Sequence, residues 1–319
     1  MSRVPRLLLA SLLAVISSLA CAAPPRAAES AAPLEPVAAD LSIEVPAEPS
    51  ADPAQPVAVA APGPRADVGA MGYVAQTWNN CGPASVVMVL SYLGLDVSQE
   101  VARLALRGPD VSRGMPAQNV APWVGEQFGL KAVVRTNGSR ELVRTLVANG
   151  FPVIVTQWLY DPPSRIAHYR VVRGYDEATQ RFLVNDPIRG AGVHLDYGWF
   201  DANWQVFLYR YLVIYRPADE PKVRAIVGDD WNDTVMRTRM YARAQAESAA
   251  DSNDAWLAFG EAAYQIGRYD EAVAAFEKGL ALGGGAGVFT MRSSYPNALR
   301  ALGREAEADA ARARLSPSR

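Results

Sequence analysis

The sequence predicts an α+β domain, preceded by an apolar leader and an Ala/Pro-rich stretch and followed by an all-α module. Three observations carry that prediction. Between residues 70 and 217, helical periodicity fills the first half and short β-rich runs fill the second. Beyond Pro217 the pattern changes to Ala-rich helices. No aromatic residue occurs before Tyr73, so the chain up to that point has little with which to build a core.

Residues 1–21 read as an export signal. Arg3 and Arg6 precede an apolar stretch from Leu7 to Leu19 that is too short to span a bilayer and ends in small residues. Ser18-Leu19-Ala20-Cys21 is similar to a lipobox, with Ser18 where Leu is usual. Two alternatives follow: lipidation of Cys21 and a cell-envelope lipoprotein, or ordinary cleavage near Cys21 and a secreted or periplasmic protein. Residues 22–69 are mostly Ala and Pro and read as a disordered tether, stiffened by proline, or as a spacer with no further role.

The predicted elements of residues 70–217 follow in order. Gly82–Leu93 is a buried helix with Pro83 in its first turn and Gly94 just past its end. Helices are expected at Gln99–Leu106, Ala117–Phe128 and Ser139–Ala148, the last capped by Ser139, with a strand at Leu130–Val134. Strands then dominate: Pro152–Gln157, His168–Gly174, Arg181–Asn185 and Tyr209–Tyr215. Residues 218–319 carry helices at Trp231–Ala249, Asp254–Ile266 and Tyr269–Leu282, with one or two more in Tyr295–Leu315. The middle pair resembles a tetratricopeptide repeat: Trp256, Phe259, Gly260, Ala272 and Phe276 fall at its spacing, while Ala263, Gly279 and Gly284 depart from it. A degenerate second copy surrounds Leu302-Gly303-Arg304, and an unspecialised helical hairpin is the plainer reading.

Composition excludes several classes. A net charge of −2 and the lack of any long Lys/Arg run argue against a nucleic-acid partner. Two cysteines and two histidines in the chain would all be needed for one mixed zinc site, so no structural metal is expected. Removal or modification of Cys21 on export leaves Cys81 a lone thiol.

The stretch Gln76-Thr77-Trp78-Asn79-Asn80-Cys81-Gly82-Pro83-Ala84-Ser85 places that thiol where a loop turns into a buried helix. The free N–H groups and positive dipole end of the helix favour thiolate there. Gly82 removes a side chain that could crowd a substrate, and Gln76 can aim an amide N–H at an oxyanion. His168 is the candidate base, since His194 stands without such company. A hairpin reversing near Ala178 and Thr179 returns Asp186 to His168, whereas Asp176 is separated from it by roughly 26 Å of strand. Trp78 and Asn80 either shape a substrate cleft or pack the loop; Trp158 is a cleft wall or a core residue.

Gln76…Asn80-Cys81-Gly82-Pro83-Ala84-Ser85, His168-Tyr169-x-Val171-Val172-x-Gly174-Tyr175 and Val184-Asn185-Asp186-Pro187 together resemble family thirty-nine of the cysteine peptidases, of the papain-like superfamily, whose best-known members process double-glycine (bacteriocin) leaders. The resemblance covers about residues 70–216 and implies a papain-like fold with Cys81 as nucleophile, His168 as base, Asp186 as orienting acid and Gln76 as oxyanion donor. No Walker A pattern accompanies it. The expectation is an exported bacterial cysteine peptidase, or thiol amidase, without metal or organic cofactor. It would act on a peptide or protein substrate, carry a tail able to recruit a protein partner, and meet the membrane only through a lipid on Cys21. The rival is a non-catalytic peptide-binding adaptor of the same fold.

Overall fold

The computed structural model describes residues 57–110, 113–161, 165–283 and 291–315; the stretch expected as an export signal, Cys21, most of the expected tether and Gly284 lie outside them. Seven strands form one antiparallel sheet: β1 (Arg65–Asp67), β2 (Lys131–Arg135), β3 (Val153–Trp158), β4 (Ala167–Asp176), β5 (Arg181–Asp186), β6 (Gly190–Asp196) and β7 (Tyr211–Tyr215). Their order is β2-β7-β3-β4-β5-β6, and β1 continues beyond β3 along the edge of β4.

Alternation along the central strands divides the sheet into two buried faces. Ile154, Val171, Leu212 and Ile214 pack beneath α1 (Cys81–Tyr92), α2 (Gln99–Arg107) and α3 (Val120–Phe128). Val153, Val155, Val172, Phe182, Val184 and Val213 pack against α4 (Arg140–Ala148), α5 (Tyr197–Trp204) and α6 (Glu220–Val227). Nearly all of α1 is buried, which its unbroken run of small and branched apolar residues allows. Ser139 caps α4 by accepting a hydrogen bond from the Leu142 N–H at 3.1 Å. The fold is thus α+β, helical in front and antiparallel behind.

One short segment departs from expectation. Residues 65–67, assigned to the tether by composition, instead pair with Gly174–Asp176. Arg173 grips Asp67 through bonds of 2.8 Å to each carboxylate oxygen, and Glu177 N–H donates to Pro64 O at 2.9 Å. Residues 65–67 therefore belong to the sheet, because a strand three residues long is decided by its partner rather than by its own composition.

The C-terminal helices are α7 (Asp233–Glu247), α8 (Asn253–Gln265), α9 (Tyr269–Ala281), α10 (Met291–Ala301) and α11 (Glu305–Leu315). α8 and α9 form a tight antiparallel hairpin. A Cβ on Gly260 would lie 2.7 Å from Phe276 Cδ1, and one on Gly279 would lie 2.8 Å from Leu257 Cδ2, so both positions require the smallest residue. These helices share a core with the sheet domain: Trp158, Val206, Phe207 and Leu208 are buried among Met240, Leu257, Phe259 and Phe276. Among the described residues no helix is long and apolar enough to cross a membrane.

Candidate active site

The loop before Cys81 is held by side chains outside the motif itself. Gln99 Oε1 accepts from Thr77 N–H and Oγ1–H at 2.7 and 2.9 Å, while its Nε2 donates to Ala75 O at 2.9 Å. The buried Arg107 guanidinium donates to Asn79 O at 2.7 Å, Trp78 O at 3.3 Å and the Asn80 side-chain oxygen. Asn79 takes a left-handed conformation (φ 57°), which Asn tolerates better than most residues. Gln76 N–H bonds Pro187 O at 2.9 Å, joining this loop to the segment that follows β5.

α1 then starts at Cys81 with no side chain capping its N-terminus, so the first backbone N–H groups are not all consumed internally. The other half of the site comes from the β4–β5 hairpin. Asp176 Oδ1 accepts from the Ala178 and Thr179 N–H groups at 2.8 and 3.2 Å, forming the turn that sends β5 back along β4. Pairing begins at Asp176–Arg181 and ends at Val171–Asn185, leaving the β4 edge at His168 and Tyr169 without a β5 partner. The N-terminus of α1 meets that open edge: Cys81 there lies near enough to the His168 side chain and to the backbone N–H groups of Tyr169 and Gly82 for each to favour its thiolate.

His168 Nε2 lies 2.9 Å from Asp186 Oδ1, both side chains being essentially inaccessible to solvent. Oδ1 also accepts from the N–H groups of Ile188 and Arg189, each at 2.9 Å. Arg170 Nε is 3.1 Å from Oδ2, an ion pair whose alignment falls short of a hydrogen bond. Arg170 donates in turn to Gln157 Oε1 at 3.0 Å and Trp158 O at 3.3 Å, and its guanidinium stacks over Trp199. Cys81, unlike these, is partly exposed.

The electrostatics follow from this packing. Burial pushes the Cys81 thiol up, but the hydrogen bond and charge of His168, aided by the two backbone N–H groups, bring it below its ordinary value. Burial pushes His168 down, and Asp186 and Cys81 more than offset it, so the imidazole titrates above its ordinary value. Burial also opposes ionisation of Asp186; His168, Arg170 and the Arg189 N–H outweigh it and hold the carboxyl far below the usual range. Arg170 is brought down by burial to about 10, Asp186 acting in the opposite direction. The arrangement therefore favours thiolate beside imidazolium, backed by a carboxylate.

Gln76 is half-buried, its backbone tied to Pro187 next to Asp186, and its side-chain oxygen is buried without a hydrogen-bond partner. Its amide is thus not fully committed to the protein. Of the residues expected to face substrate, Trp78 is 82% exposed, but the other three need correction. Asn80 is 2% exposed, with Nδ2 on Thr77 Oγ1 at 2.5 Å and Oδ1 on Arg107, so it braces the loop. Gly82 is buried, and a Cβ there would meet Met115 Cβ at 2.7 Å; the glycine makes room for Met115, not for an incoming ligand. Trp158 is 1% exposed and edge-to-face with Phe207 beneath the C-terminal helices, so it is core rather than cleft wall. His194 is exposed on β6, away from these contacts. Arg107, Gln99 and Arg170 were missed; only Arg170 left a trace, two positions after His168 on the same strand and hence on the same face.

A cysteine at a helix start, a histidine on the facing strand and a carboxylate on the next strand define a papain-like domain. Residues 70–213 match the model of the Peptidase_C39 like family, so this segment carries the C39-like peptidase fold. Among solved structures it is similar to a protein from Bacillus anthracis assigned as a C39-like peptidase, 17% identical over 48% of this chain and 98% of that one, TM-score 0.40. A double-glycine motif protease of an AMS/PCAT transporter, solved with its leader peptide, is 22% identical over 47% and 94%, TM-score 0.36. The peptidase domain of Streptococcus ComA, a bifunctional quorum-sensing ABC transporter, is 17% identical over 45% and 96%, TM-score 0.35. No protein of curated function matches the sequence. Among the described residues, no group of three His, Cys, Asp or Glu side chains could hold a metal ion.

Proposed function

We propose that the chain is an exported cysteine peptidase or amidase in which Cys81, His168 and Asp186 act as a triad and Gln76 as the oxyanion donor. The observation that carries the reading is the continuous chain of contacts from the partly exposed Cys81 through His168 to the buried Asp186. Cys81 thiolate attacks the carbonyl carbon of the substrate, and the resulting oxyanion is met by the Gln76 amide and the Cys81 N–H. The C–N bond breaks as His168 gives its proton to the leaving amine. Water, deprotonated by His168, then attacks the thioester, releasing the acid and regenerating the thiolate.

Asp186 holds the imidazole in one orientation and tautomer, and Arg170 with the two backbone N–H groups keeps that carboxylate ionised. A peptide suits a partly exposed thiol preceded on its loop by the exposed Trp78. The export signal, the lipid on Cys21 or cleavage beside it, and the role of the Ala/Pro-rich stretch ahead of Ala60 as a tether belong to this proposal on composition alone. So does the helical module as a site for a protein partner.

The test is incubation of the native chain and Cys81→Ala with a diverse peptide library, read by mass spectrometry, together with iodoacetamide labelling. Native protein should cleave a subset of peptides and label at Cys81, and the variant should do neither. Equal, null behaviour of both forms would leave a binding protein.

A further inference from the structure

The helical module reaches the strand that carries His168. Trp158 ends β3 and pairs with Ala167, and Gln157 pairs with His168, so the mouth of the β3–β4 hairpin lies one residue from the imidazole-bearing position. Both sides of that mouth are tied to one carboxylate in the first turn of α8. Arg165 Nη1 donates to Asp254 Oδ1 at 2.6 Å, and Trp158 Nε1 donates to Oδ2 at 3.2 Å. Asp254 is 7% exposed, and Arg165 closes the triangle by stacking over Trp158. An acidic residue in a first helical turn often serves its own helix, but Ser252 already caps α8 by accepting from Ala255 N–H, and both oxygens of Asp254 are spent on the hairpin.

A second contact comes from the same helix. Glu261 lies two turns after Asp254, on the same face, and is buried with Arg210 as its cationic neighbour. Arg210 in turn is a near neighbour of Tyr169, the residue after His168; the Tyr169 hydroxyl donates to Met115 O at 3.0 Å. Ala167, the residue before His168, packs against the helical core. Thus Arg165 and Ala167, just before His168, are held by the C-terminal module, whereas Tyr169, just after it, packs on the α1–α3 side of the sheet.

We propose that Asp254 is a positioning residue for His168, acting through Arg165 and Trp158, so that the helical module forms part of the machinery that sets the imidazole against Cys81. The inference rests on the peptidase reading above. The neutral amide introduced by Asp254→Asn would give up the ion pair with Arg165 and loosen the hairpin mouth, and a displacement of the imidazole by even ~1 Å is costly.

The experiment uses the full chain in five forms: native, Asp254→Asn, Arg165→Gln, the double variant of these two, and Phe276→Leu, the last a perturbation of the α8–α9 seam at Gly260. Two readouts are taken: the pH dependence of Cys81 alkylation by iodoacetamide, and kcat and KM on the library peptide cleaved fastest. Asp254→Asn and Arg165→Gln should both move the alkylation curve to higher pH and lower kcat by about 10- to 100-fold with KM little changed. Phe276→Leu should lower the thermal midpoint and leave the curve in place. The double variant should be little worse than either single one, since both act through one contact. Should Asp254→Asn fail to fold, Arg165→Gln, whose side chain is partly exposed, carries the test. Curves of Asp254→Asn and Arg165→Gln that overlay the native one, with only stability lost, overturn the positioning role and leave the peptidase reading intact. A native curve that is already an ordinary thiol titration overturns both.

Discussion

Replacing Arg170 by Met removes a fully buried cation and leaves its partners in place. Asp186 Oδ2 loses the guanidinium 3.1 Å away, and Gln157 Oε1 and Trp158 O lose donors at 3.0 and 3.3 Å. Breaking a buried pair from one side costs about 3–5 kcal/mol. The lower end applies here, because Asp186 Oδ1 keeps His168 and the Ile188 and Arg189 N–H groups. A loss of about 3 kcal/mol lowers the melting temperature of a chain this size by roughly 6–12 °C. The variant should also become more sensitive to acid. The depressed carboxyl of Asp186 contributes stability that is complete above its unfolded value near ~3.9 and is lost as pH falls through the folded value. Without Arg170 the folded value rises, so acid unfolding begins at higher pH. Scanning calorimetry of both forms between neutral pH and the acid transition measures both effects. A midpoint within about 2 °C of native at neutral pH, with an unchanged acid limb, would refute the claim that Arg170 sustains the Asp186 carboxylate.

Gln76→Ala should lower kcat by roughly 10²–10³-fold with little change in KM, because an oxyanion donor acts on the transition state; steady-state kinetics on a cleaved library peptide checks it. Gly82→Ala should destabilise by about 1–3 kcal/mol, since the new methyl meets Met115 Cβ at 2.7 Å; urea unfolding measures the loss. Arg107→Ala should leave Asn80 Oδ1 and two loop carbonyls without their donor. It should cost about 1–3 kcal/mol and slow Cys81 alkylation at fixed pH, as the loop before the helix loosens.

Much of the domain was legible because its elements are locally encoded. Ser139 before an amphipathic run, and Pro83 and Gly94 around a buried one, mark helix ends by their own chemistry. The antiparallel return of Asp186 to His168 could be read from strand length and a turn at residues 178–179. What failed depended on distant partners. β1 exists only through its pairing with β4, and β6, with glycines at 190 and 192, lacks the alternation of a buried strand. Gly82 reads as space for substrate, and Asn80 stays open between cleft and loop packing, because Met115 and Arg107, the residues that occupy them, lie far along the chain. Trp158, left open between cleft and core, is settled by helices that begin only at Asp233. The boundary drawn at residue 217 fared likewise: helical patterning marks a change of class there, but the pattern carries no sign that Trp158 and Asp254 would join the two parts.

The most direct measurement is the rate of iodoacetamide alkylation of Cys81 across acid to alkaline pH in native protein and in His168→Ala. The lowered thiol and raised imidazole require fast alkylation of native protein well below about pH 8, and a curve displaced to or above the ordinary thiol range once the imidazole is removed. Two superimposable curves, each rising near the ordinary thiol value of about 8.5, would contradict it.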